Sequence, residues 1–139
     1  MTIHYKTDDE IRALVKAFEA CSFHPSEFRH YQHLTVALWY VWHLPYDEAE
    51  KCLKTGIQRL AKTYGKTGYH ETITLFWLRM VSSFANSADR KSSLAATANL
   101  MIEEHANKDV IFDYYSAELI DSAKAKAEWI EPDLQKIQF

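Results

Sequence analysis

The chain has 139 residues, enough for one domain with its own core, and 47% of them are hydrophobic, which excludes a disordered chain. Three Gly and three Pro are too few for a turn-rich β-sandwich or a glycine-cradled phosphate site, and a formal charge of −3 argues against nucleic acid as a partner. Two cysteines exclude a disulfide scaffold, "MTIHYKTDDE" carries no apolar leader and "VALWYVW" is too short for a membrane span, so a soluble, cytoplasmic protein is expected.

The pattern is helical almost throughout. "TDDEIRALVKAFEAC" opens on Thr7 or Asp8 as an N-cap with acidic residues in its first turn, and Ile11, Leu14, Val15 and Phe18 recur at helical spacing. Pro25 breaks the pattern. A second helix is predicted from about Phe28 to Leu44, with His30, His33, Leu34, Ala37, Tyr40, Val41 and Leu44 as its stripe. Leu38, Trp39 and Trp42 widen the apolar surface, which suits a central helix.

Pro45 starts a third helix, whose seam runs from Ala49 through Leu53, Gly56 and Leu60 to Tyr64. Gly56 in that seam allows close approach of a neighbour, and Gly65 is a natural stop. A fourth helix is predicted from about Tyr69 to Phe84, facing inward through Ile73, Phe76, Trp77, Met80 and Val81. A fifth covers roughly Leu94 to His105, and "KDVIFDYYSAELI" and "SAKAKAEWI" read as two short helices. No segment alternates like a strand. The expectation is a single all-α domain over residues 1–139: a bundle of about five to six helices, with the first four as its antiparallel core.

Short connections make the second, third and fourth helices antiparallel neighbours, so the second and fourth start at the same end of the bundle. His30 and His33 lie in the opening turns of one, and His70 in the first turn of the other, all on inward faces. Three imidazoles should therefore converge, and helix N-termini favour their neutral forms. Cys21, His24, His105, Tyr114 and Tyr115 are further candidates for the same end.

Three imidazoles with an open position suit one divalent metal, Zn²⁺, Fe²⁺ or copper, bound by His30, His33 and His70. Glu71 would be a fourth ligand or the acid/base, and Thr74 a hydrogen bonder near the site. Tyr40 and Trp77 would line a place for a partly apolar small molecule. The reaction would then be hydrolysis by metal-activated water or oxygen chemistry.

Neither known motif is met. "HETIT" has Thr74 where a zinc protease needs its second His, and Glu27-x-x-His30 is only half of a di-iron signature. Two other readings stand beside the metal. The same histidines could move protons in a metal-free isomerase, lyase or cyclase, or they could be structural in a ligand-binding or interaction module. Glu71 could simply complete a helix cap that begins at Gly68.

"FRHYQHLTVALWYV", "GYHETITLFWL" and "DYYSAELIDSAKAKAEWIEPDL" together resemble a family of small bacterial all-helical proteins to which no reaction is assigned. The resemblance spans roughly residues 23–135. It implies an all-α fold, supports the histidine set, and draws Tyr115, Ser116 and Trp129 towards the site. The layout is also similar in general design to DinB-like metal-binding four-helix proteins, although the histidine spacing differs.

Overall fold

The computed structural model describes residues 3–139 and is all-helical, with no strand among the described residues. Five long helices carry the fold: α1 (Asp8–Glu19), α2 (His30–His43), α3 (Tyr46–Thr63), α4 (Glu71–Ser87) and α5 (Leu94–His105). Two single-turn helices follow, α6 (Ala117–Ile120) and α7 (Ala123–Ala127), and 3-10 turns lie at Pro25–Glu27 and Lys108–Asp113. No helix of the described residues is long and apolar enough to cross a membrane.

The central position of α2 follows from its composition. Leu34, Thr35, Val36, Ala37 and Leu38 are all buried, a run that covers every side of the helix. It packs against α1, α3, α4 and α5, and its contact with α4 is the most extensive. α1 and α3 each bury one apolar stripe, whereas α4 buries Leu75, Phe76, Trp77 and Leu78 in succession, between α2 and the C-terminal segment.

Local signals set the boundaries. Thr7 Oγ1 accepts from the Glu10 N–H as the cap of α1, while Asp8 Oδ1 accepts from the Ala95 N–H at the start of α5. One acidic residue thus joins the openings of two helices. Gly65, at φ 64°, ends α3 as expected, with its N–H donating to the Lys62 carbonyl and that of Lys66 to the Ala61 carbonyl. The seam glycine also does what its position implied. A Cβ on Gly56 would stand 2.2 Å from the Phe18 ring, so α1 and α3 meet where a side chain is missing.

Three expectations are corrected. The second helix begins at His30, not Phe28, because the chain first makes the Pro25–Glu27 turn and Arg29 occupies the cap position. The fourth begins at Glu71, because His70 itself is the cap. "KDVIFDYYSAELI" is not one helix, since Ser116 is the N-cap of α6 and separates it from the Lys108–Asp113 turn.

From residue 128 onward the chain has no helix and is clasped to the body. The Glu128 carbonyl accepts from the Thr72 hydroxyl, and the Ile130 carbonyl accepts from the Tyr115 hydroxyl at 2.5 Å. Asp133 accepts from both the N–H and the hydroxyl of Ser116. Phe139 closes the clasp edge-on against Phe76 and Tyr114.

A candidate site where two helices begin

The opening turns of α2 and α4 line one cleft of about 820 Å³, which puts their N-terminal ends side by side. His30, His33 and His70 all line it, together with Thr74 and Trp77. Leu53 and Ile57 of α3 also line it, as do Lys108, Asp109, Ile111 and Phe112 of the 3-10 turn. The volume suits a drug-sized organic molecule.

The three imidazoles are not equivalent. His70 Nδ1 accepts from the Ile73 N–H at 3.1 Å, and its Nε2 lies 2.7 Å from the Ile120 carbonyl. A carbonyl only accepts, so Nε2 carries the proton and Nδ1 the lone pair. Both ring nitrogens are thus spent on backbone. His70 is a cap and a bolt between α4 and α6.

His30 keeps one nitrogen free. Its Nε2 donates to the His105 carbonyl at 2.9 Å, at the last turn of α5, and its ring stands edge-on to Trp77 with centroids 4.6 Å apart. Burial, chiefly, holds its pKa below the ordinary value, with nearby Lys108 and His105 acting in the same sense and the His105 carbonyl opposing. The neutral ring leaves Nδ1 as an unused acceptor.

His33 lies one turn deeper, its ring 3.9 Å from that of Phe28. Burial, then the proximity of His30, hold its pKa down at about 4, while the Phe28 backbone pulls weakly the other way. Neutral imidazoles were expected from the helix ends, and for His30 and His33 the direction agrees. The larger cause is desolvation.

A metal held by all three histidines does not fit this geometry. His70 has no lone pair to give, and among the described residues no three His, Cys, Asp or Glu side chains are grouped as a metal would require. Glu71 is not available as a fourth ligand either. Its carboxylate accepts from Lys54 Nζ at 2.5 Å and from the Tyr69 hydroxyl at 2.6 Å, bracing α3 against α4. Nor does it complete a cap from Gly68: it is the first residue of α4, behind His70.

The remaining candidates divide by location. Thr74 and Trp77 line the cleft as expected. Tyr40 faces a separate hollow of about 440 Å³ beside Cys52 and donates to Glu19 Oε2 at 2.9 Å. Tyr115 is fully buried and Ser116 caps α6, both in the C-terminal clasp. Trp129 belongs there too, under the Arg79 guanidinium at 4.0 Å and donating to Glu131. Cys21 and His24 lie beside Tyr64, and Tyr114 packs on Phe76, so none of these lines the cleft. His105 contributes its carbonyl.

Sequence reasoning missed Phe28, Arg29, Tyr69 and the 3-10 residues Lys108, Asp109, Ile111 and Phe112 as cleft residues. Phe28, Arg29 and Tyr69 adjoin the predicted histidines and could have been found by adjacency. The residues at 108–112 had no local signal, because only the fold-back after α5 brings them there. No family model, curated protein or solved structure matches the chain.

Proposed function

We propose that the protein is a small-molecule enzyme that moves protons without a metal. His33 is the base. Its neutral imidazole in an apolar cleft, beside a second imidazole with a free Nδ1, is the observation that carries this reading. A ligand lying against Trp77 and Ile73 would give a proton to His33 and receive it back on another atom, as an isomerase requires. His30, fixed through Nε2, would accept a ligand hydroxyl or hold an enol proton at Nδ1. His70 and Glu71 serve this site by holding the start of α4 in place.

The reaction class can be tested before the substrate is known. Carbon acids of suitable size, such as phenylpyruvate and 2-oxobutyrate, exchange their α-protons in D₂O when a base can reach them. We expect exchange above the buffer rate with the protein, followed by proton NMR, and a return to the buffer rate in His33→Ala. If no carbonyl compound in such a set exchanges faster than in buffer, the protein is not a proton-transfer catalyst of this kind.

A further inference from the structure

We infer that the ligand of the cleft is an organic carboxylate, an apolar body ending in a single anionic group, with the anion held at the mouth by Arg29 and Lys108. This rests on the reading of the cleft as a ligand site and specifies what enters it.

The lining separates into two zones. One is aliphatic or aromatic and buried or half-buried: Leu34, Leu53, Ile57, Ile73 and Trp77. The charged lining residues are Arg29, at the cap position of α2, and Lys108 and Asp109, at the start of the 3-10 turn. All three are exposed, and none enters an ion pair among the described residues. Two cations against one carboxylate leave the rim positive when the histidines are neutral.

The unpaired state is shared with several surface lysines, such as Lys51, Lys62 and Lys66, and what sets Arg29 and Lys108 apart is their place in the lining of an apolar cleft. Several other cations are engaged elsewhere. Arg12 pairs with Asp9, Lys54 with Glu71, and Arg79 and Arg90 lie over Trp129 and Trp42. Arg29, from the start of α2, and Lys108, from the 3-10 turn, line the same cleft and have their charges free for a ligand. Arg29 can meet a carboxylate with a two-pronged hydrogen bond, while Lys108 acts as a point charge. Asp109 would disfavour a dianion, so one carboxylate, not a phosphate ester, is the chemistry that fits.

The anion also bears on the base. A carboxylate at the mouth would offset the Lys108 charge that helps to hold His30 neutral, and its field, reaching His33 one turn deeper, would raise that ring's pKa from its low resting value. A base that strengthens when its ligand arrives is better matched to proton transfer at pH 7.

The test uses a matched pair, 1-naphthaleneacetate and 1-naphthaleneacetamide, which share an apolar body and differ in charge. Calorimetry should show the acid binding at least 10-fold more tightly than the amide. The gap should fall below about 3-fold in Arg29→Gln/Lys108→Gln, whose fold circular dichroism checks. His33 ring NMR should show a raised pKa in the complex with the acid. Equal binding of acid and amide, or tighter binding of the amide, overturns the carboxylate assignment and leaves the cleft as a neutral-ligand site. Absence of binding by both at millimolar concentration overturns the assignment and the ligand cleft together. Selective acid binding without any proton exchange would uphold the assignment while removing the catalytic reading.

Discussion

At the scale of single residues, His70 shows how a side chain can look catalytic and act as a fastener. It sits inward, in a cleft, beside two other imidazoles, and yet both of its nitrogens bind backbone. His70→Ala removes a helix cap and a hydrogen bond across to α6, and should cost about 2 kcal/mol in urea denaturation. His70→Asn, which can still cap, should recover about half of that loss. A His70→Ala protein as stable as the parent would show that the bolt carries no weight.

His33 makes a different prediction, read in acid. Its folded pKa of about 4 lies below the ordinary 6.5, so between those values the unfolded chain takes up a proton that the folded one refuses. Stability is therefore full above pH 6.5 and declines as the pH falls towards 4. The loss should be on the order of 2–3 kcal/mol. His30 and His105, whose pKa values are also lowered by burial, add in the same direction. Urea titrations at several pH values should show a shallower acid decline in His33→Gln, because carboxylate effects are common to both proteins. Parallel profiles for the two proteins would show that His33 is accessible to protons in the fold.

At the scale of elements, the joint between α1 and α3 depends on an absence. Gly56→Ala would put a methyl group into the Phe18 ring, and overpacking of this kind costs about 1–3 kcal/mol. Phe18 is fully buried and cannot swing into solvent. Gly56→Ala should therefore lower the thermal midpoint, and Phe18→Leu in the same chain should restore part of it, since the smaller side chain vacates the space. Losses that merely add in the double variant would place the strain elsewhere.

Helical periodicity made this scale legible. The seam of α3 contains the residues found buried and Gly65 marks a real stop, whereas the stripe of α2 gave Leu34, Ala37 and Tyr40 but not Thr35 and Val36, which a helix packed on all sides also buries. The limits of that legibility lie in partner choice. Spacing put His70 on an inward face but could not show that the Ile120 carbonyl, fifty positions away, would meet it. It put Glu71 near the histidines but not Lys54 opposite, which takes the carboxylate out of the site. Tyr40 and Tyr115 were assigned to the site as aromatic residues. Their hydroxyls instead satisfy Glu19 and the Ile130 carbonyl, contacts that no local pattern encodes.

At the scale of the molecule, the histidine cleft and the C-terminal clasp grip the same helix from different directions. The clasp reaches the first turns of α4 through Thr72, whose hydroxyl donates to the Glu128 carbonyl and accepts from the Ile130 N–H. Removal of residues 129–139 would uncover Phe76 and the Tyr115 hydroxyl and release the start of α4. The shortened chain should unfold at lower temperature, and amide exchange should quicken first at 70–76, ahead of α1. Unchanged exchange at those amides would mean that the cleft is built without the clasp.

Trp77 gives the molecule its own optical gauge. Arg12, Arg79 and Arg90 lie over Trp39, Trp129 and Trp42, whereas Trp77 stands edge-on to an imidazole in the cleft wall. Its emission should be blue-shifted by its surroundings and quenched when a proton settles on that ring. With Trp39, Trp42 and Trp129 replaced by Phe, fluorescence from the one remaining indole would register both occupancy and protonation of the hollow, with no label attached.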